Sequence, residues 1–180
     1  MAKVLAIALL LFLGACSTYT PQRYTISADN NVALKTLGVG GVAVGPFAGP
    51  PKFDPACRLV GPIGLPDGLS FEAYIQKALA DELKVAGMYE GVSPRVTLTG
   101  AIEHLSFSST RGITGGLWEV TLRLYSSNGR SMVTSESYSF RSGYMAETGC
   151  KQTAEAFLPT VQNLIGKLIA DPRFRGLVEA

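Results

Sequence analysis

The sequence holds a single histidine, His104, and no Cys-x-x-Cys pair, and these two shortages close off much of familiar enzyme chemistry. A hydrolytic triad or a histidine-based metal site would have to be built around that one residue. No nucleophile motif stands beside it, and Ser106, Ser108 and Ser109 read more simply as polar strand-end residues. Without Cys-x-x-Cys there is no thioredoxin-type redox centre. Lysine and arginine nowhere form a block that could track a phosphate backbone, so nucleic acid is not an expected partner. Charge of either sign is also scarce in excess: 16 Lys+Arg stand against 14 Asp+Glu, a formal +2. Finally, no apolar run reaches the roughly 20 residues that a membrane-spanning helix requires.

One apolar run is nevertheless present, at the amino end. Met1-Ala2-Lys3 gives a positive start, Val4 to Phe12 is unbroken apolar, and Leu13-Gly14-Ala15 brings small residues up to Cys16. That is the three-part layout of a secretion signal. Leu13-Gly14-Ala15-Cys16 resembles the lipobox of bacterial lipoproteins. The resemblance implies that residues 1–15 are removed as a lipoprotein signal peptide and that Cys16 receives a diacylglyceryl group. It also implies a cell-envelope location with the domain facing the periplasm, and Ser17 as second mature residue makes the outer membrane the expected address. An ordinary leader with an incidental cysteine would instead leave a free, soluble protein. Two or more acyl chains anchor durably, whereas one binds only marginally.

The chain has three cysteines, an odd number for an exported protein. Lipid on Cys16 would leave Cys57 and Cys150 as a pair, and an oxidising periplasm allows a disulfide between them. Two buried free cysteines are the alternative. A metal site is poorly supported by two cysteines and one distant histidine.

With 180 residues and a mean hydropathy of +0.22, the chain accommodates one domain after the leader. Residues 16–33, polar and without a sustained period, read as the lipidated cysteine and a flexible tether. Residues 34–180 read as a single α+β domain. Leu37, Val39, Val42 and Val44 signal a first strand, with a bulge at Gly40-Gly41 that would keep both apolar pairs inward. Ala48 to Gly68, crowded with glycine and proline, reads as a long loop that Cys57 could fasten. Ser70 caps a helix over Phe71 to Ala86, whose apolar residues recur at three- and four-residue intervals.

Three strands are expected next. Pro94 to Ser108 changes parity near His104, which suggests a bulge. Leu117 to Ser126 alternates cleanly, and Asn128-Gly129 marks a tight turn into Ser131 to Phe140. A second helix spans Glu147 to Ala170, kinked or restarted at Pro159 and ended by Asp171-Pro172. The order strand, helix, three strands, helix suits a small antiparallel sheet with helices on one face. That order is similar to small envelope lipoproteins, including the auxiliary lipoproteins of ABC-type lipid transport systems, with no motif matched residue by residue.

No catalytic residue, metal or cofactor is nominated. Trp118, Arg123, Tyr125, Tyr138, Arg141 and Tyr144 are candidates for an aromatic and cationic contact surface, against the simpler reading of a core tryptophan and solvated arginines. The expected function is a non-catalytic, membrane-anchored lipoprotein that binds or stabilises an envelope transport or assembly complex. The alternative is a lipoprotein holding lipid or glycan between helices and sheet or beneath the proline-rich loop.

Overall fold

The computed structural model describes residues 18–180, so Cys16 and the expected leader lie outside the described residues. The elements run α1 (Ala28–Leu37), β1 (Val42–Ala48), β2 (Ala56–Cys57), β3 (Gly61–Pro62), α2 (Phe71–Val85), β4 (Val96–Arg111), β5 (Gly115–Ser126), β6 (Ser131–Arg141), α3 (Ala146–Glu155), α4 (Phe157–Ala170) and α5 (Pro172–Val178). The main sheet has the order β1-β4-β5-β6, and β2-β3 form a separate hairpin. The α+β class holds.

One pairing corrects the all-antiparallel sheet. β1 runs parallel to β4, while β4-β5 and β5-β6 are antiparallel. The cause is the connection: α2 lies between β1 and β4, and a helix-bearing crossover returns the chain to the same edge in the same direction.

The sheet is dry on one side. Val96, Leu98 and Ile102 of β4 and Trp118, Val120, Leu122 and Leu124 of β5 are buried, with more exposed residues between them. On β4 the inward parity passes from Ile102 to Leu105 through a register shift between Ile102 and His104, the expected bulge. Helix α2 covers this face with Tyr74, Ile75, Ala78, Leu79 and Leu83, and α4 adds Phe157, Val161, Leu164, Ile165 and Leu168. Phe53, Phe71 and Phe107 join Trp118 and Phe157 in one aromatic cluster, with ring centroids 4.7 to 6.3 Å apart. Trp118 and Phe157 are fully buried at the centre of this cluster, with Phe53, Phe71 and Phe107 packed against them from partly buried positions.

Three local readings hold, the Ser70 cap, the break ahead of Pro159 and the helix end at Asp171-Pro172, and the two-residue turn changes. Ser70 caps α2 by accepting from the Ala73 amide, and the long second helix breaks at Ala156, three residues before Pro159. The proline has no amide to give and crowds the carbonyl of Glu155, so the chain restarts as α4. Beyond Asp171 the chain forms a further helix, α5, capped by the Asp171 carboxylate on the Arg173 amide and opened by Pro172. At the β5–β6 turn only Gly129 is left-handed, at φ 87°, and Ser126 bonds the carbonyl of Arg130, so the loop is longer than a two-residue hairpin.

The flexible tether is the larger correction. Residues 18–33 are folded onto the domain: Tyr19 pairs with Ile63, and α1 begins at Ala28 behind a Ser27 cap. The expected first strand is divided, because Leu34 and Leu37 belong to α1 and the strand starts only at Val42. Gly38 to Gly41 form the turn between them, with Gly38 and Gly41 at φ 64° and 82°. They are not a bulge.

Candidate functional site

The six residues proposed as a contact surface do not share one. Strand alternation separates them. Trp118 is fully buried and its indole donates to the Thr153 carbonyl at 2.8 Å. Tyr138 lies directly across from Trp118 on the same side of the sheet, half-buried. Arg123 and Tyr125 point to the opposite, solvated face, where the Arg123 guanidinium bonds Glu103 at 2.5 Å. Arg141 and Tyr144 are exposed at the far end of β6 and in the loop after it.

What does converge is the end of the sheet where β4 finishes and β6 hands over to α3. Cys57 and Cys150 are joined there by a disulfide, Cα to Cα 5.9 Å, across 93 residues of sequence. Cys57 precedes a hairpin turn in which Arg58 and Leu59 both sit in the left-handed region, at φ 45° and 59°. A type I′ turn demands that geometry, and it normally draws glycine or asparagine. Each non-glycine residue held there costs about 1 to 3 kcal/mol.

The Arg58 side chain offsets that strain. Its guanidinium donates to the carbonyls of Gly143 at 2.8 Å and Tyr144 at 3.0 Å, to the Ser109 hydroxyl at 3.0 Å, to the Ser142 hydroxyl at 2.9 Å and to the Ser109 carbonyl. It therefore ties the hairpin to the end of β4 and to the loop before α3. Gly149 lets the guanidinium lie against α3, since a Cβ there would stand 2.6 Å from the Arg58 Cζ. Nothing in the residue type of Arg58 announced this role.

A second hub fastens the amino-terminal segment. Glu82, on α2, is fully buried and accepts the Tyr24 hydroxyl at 2.7 Å and the Ser27 amide at 2.8 Å. Burial, then the Glu82 carboxylate, pushes the Tyr24 phenol well above its ordinary value. Burial alone raises Tyr74 to about 12. A signal existed for Glu82: it falls seven residues after Ile75 and three after Leu79, inside the apolar stripe of α2. Charged residues on such a stripe are rarely buried without partners. Glu136, the other buried carboxylate, sits on the inward parity of β6 and faces the Lys167 ammonium at 2.6 Å and the Asn163 amide at 3.3 Å.

Around His104 the polar groups are not in the order of a hydrolytic triad. His104 Nε2 lies 3.0 Å from the Ser106 hydroxyl, and that hydroxyl lies 3.3 Å from Glu119. In a hydrolytic triad the carboxylate orients the imidazole; here it bonds the serine, and His104 stands on the exposed sheet face. Among the described residues no group of three or more His, Cys, Asp or Glu is placed to hold a metal. No helix among them is long and apolar enough to cross a membrane. Buried side chains of α2 and α4 pack on the sheet, and beneath the proline-rich loop runs an open groove of about 650 Å³ walled by Pro50, Pro51, Phe53, Leu65, Phe71 and Glu72.

No protein-family model matches the chain, and no curated protein matches it. Its fold is found among solved structures. A DUF330 protein from Xanthomonas campestris superposes with a TM-score of 0.53 at 11% identity, covering 89% of this chain and 96% of that one. Looser likenesses are a provisionally assigned lipoprotein from Caulobacter crescentus (TM-score 0.46, 8% identity, 79% and 91% covered) and a hypothetical protein from Chlamydia trachomatis (TM-score 0.42, 11% identity, 78% and 98% covered). At these identities the likeness to the Xanthomonas protein speaks for a shared fold, and a fold hosts many functions.

Proposed function

We propose that the chain is a lipid-anchored lipoprotein of a bacterial envelope, held by acyl chains on Cys16, whose domain serves as a non-catalytic binding or stabilising part of an envelope transport or assembly complex. The observation that carries this is the fate of the cysteines. Cys57 and Cys150 are bridged, which leaves Cys16, at the end of Leu13-Gly14-Ala15-Cys16, as the only other cysteine in the sequence. A bridged pair suits an oxidising compartment, and a lipobox cysteine suits lipid. Ser17 favours the outer membrane.

Metabolic labelling with an alkyne fatty acid tests the anchor: the wild-type protein should carry label and Cys16→Ser should carry none. Absence of label from both, with a mature mass lacking acyl groups, sinks the anchor. For the partner, in-cell crosslinking followed by purification should recover one recurring envelope protein. Repeated recovery of the domain alone would end the complex-binding half.

A second reading has one observation in its favour, the groove beneath the proline-rich loop, whose volume lies within the range of small-ligand sites. Native mass spectrometry of protein taken from membranes should then show a bound lipid or glycan in addition to the covalent acyl mass. A Phe53→Ala variant should lose it.

A further inference from the structure

Four of the most exposed apolar side chains gather at the end of the domain where the described chain begins. Leu59 is fully exposed at the tip of the β2-β3 hairpin, Ile113 is 81% exposed in the β4-β5 turn, and Tyr144 and Met145 are 80% and 68% exposed in the loop before α3. Arg58 brings three of them to one place: it carries Leu59 as its neighbour and binds the Tyr144 carbonyl beside Met145. Ile113 joins through the β4-β5 turn, because the Ser142 amide bonds the carbonyl of Thr114. Scattered apolar side chains on a surface need no explanation, but a cluster raised on turns, one of them strained, does.

The amino terminus supplies the second observation. Thr18 packs against Gly64, and Tyr19 exchanges backbone hydrogen bonds with Pro62 and Gly64 at 3.0 and 2.9 Å. The Tyr19–Ile63 pairing is parallel, so the amino-terminal side of Tyr19 faces the same way as the stretch from Pro62 back to the hairpin tip. Cys16 is two residues before Thr18 in sequence, a reach of at most about 7 Å. A lipid on Cys16 must therefore enter its bilayer close to Leu59, Ile113, Tyr144 and Met145. No long tether intervenes, because residues 18–33 are part of the fold.

We propose that this end of the domain is a bilayer-docking surface, in which Leu59, Ile113, Tyr144 and Met145 enter the headgroup region of the membrane that holds the acyl chains. The inference rests on the reading that Cys16 is lipidated. Aliphatic and tyrosine side chains suit the interface between headgroups and hydrocarbon. Arg111 and Arg141, both exposed at the same end and in no ion pair with a described residue, are placed to meet lipid phosphates, with Glu147 as the opposing charge in the first turn of α3. The disulfide and the Arg58 contacts hold the tips rigid, so docking orders little that is not already ordered. The domain then stands end-on, with β4 rising roughly 50 Å from the membrane at about 3.3 Å per residue over its 16 residues. Val92, 93% exposed, lies at the distal end.

The test uses the full lipidated protein reconstituted into vesicles of phosphatidylethanolamine and phosphatidylglycerol with or without brominated acyl chains. Ile113→Trp and, as a second reporter, Leu59→Trp should show blue-shifted emission that the brominated lipids quench. Val92→Trp should show neither change, and the native Trp118, fully buried, gives the constant background. If the protein floats with the vesicles while both tip reporters remain unquenched, docking is overturned and the lipid reading stands. Quenching at Val92 in their place reverses the orientation and overturns it as well. Unquenched tips that crosslink between copies assign the surface to self-association instead. Protein that stays in the supernatant and lacks acyl mass overturns the lipid reading, and docking falls with it.

Discussion

At the Arg111 end of the sheet, a covalent bridge and a half-buried guanidinium hold the hairpin, β4 and the α3 approach together. At the Asn128 end, neutral groups do most of the fastening. Ser126 donates to the Leu177 carbonyl at 2.7 Å, and the Asn128 amide donates to the carbonyls of Gly176 and Glu179 at 2.9 and 2.7 Å, closing the last turn of α5. The difference tracks what each end exposes. Turns that display Leu59 and Tyr144 gain nothing from burying them, so their conformation has to be imposed by cross-links. The α5 end buries Phe174, Leu177 and Val178 and is held by packing, with hydrogen bonds only finishing it. The first end should therefore loosen with reductant, whereas at the second only the Asp171 cap of α5, a carboxylate on an amide, should respond to acid.

Reduction should have the largest effect. A loop spanning 93 residues of sequence is long enough that opening the bridge costs roughly 2 to 5 kcal/mol. Chemical denaturation of a Cys57→Ala, Cys150→Ala double variant should show that loss, and an unchanged midpoint would remove the bridge from the account of this end. Next comes Arg58→Ala, which leaves several half-buried carbonyls and hydroxyls without a donor and lets the left-handed turn relax. We expect a cost of about 2 to 4 kcal/mol, together with loss of amide-exchange protection in residues 142–145 but not at the α5 end. Gly149→Ala should resemble it, by displacing the guanidinium. A smaller change is expected from Asn128→Ala, about 1 kcal/mol because the amide is exposed, with exchange quickening in α5 alone.

Legibility in the sequence followed the source of each element's stability. Helix α2 and strand β5 were readable because their periodicity is local and strong, with Ser70 as a start and four alternating residues from Trp118 to Leu124. The bulge near His104 was readable from a change of parity. Helix α1 was not, because of its apolar residues only Leu34 is deeply buried and its hold is tertiary: Asn30 donates to the Gln162 carbonyl, and Glu82 receives the Ser27 amide. Those contacts span more than fifty residues and leave no local pattern. The six-residue contact surface failed for a reason the sequence did contain: Trp118 shares its parity with buried neighbours, while Arg123 and Tyr125 have the other. Arg58 and Leu59 were illegible in principle, since a left-handed turn on such residues is imposed by the disulfide and the guanidinium contacts.

The acid response of the Asn128 end is the smallest effect and separates the two ends most cleanly. Asp171 caps α5 on the Arg173 amide at 2.9 Å and meets the Arg173 guanidinium at 2.6 Å. The hydrogen bonds from that side chain, then the backbone amide, lower its carboxyl from 3.8 to about 2. A carboxyl held below its unfolded value contributes stability above that value and loses it as pH falls through the folded one. The α5 cap should thus weaken between about pH 4 and pH 2. The Arg58 contacts at the disulfide end run to carbonyls and hydroxyls and include no carboxylate, so residues 142–145 should show no matching transition. NMR titration of the Arg173 and Phe174 amides should report the change, with the amides of residues 142–145 flat across the same range. Parallel titration at both ends would mean that one cooperative acid transition governs the whole domain, and the contrast between covalent and acid-sensitive fastening would be lost.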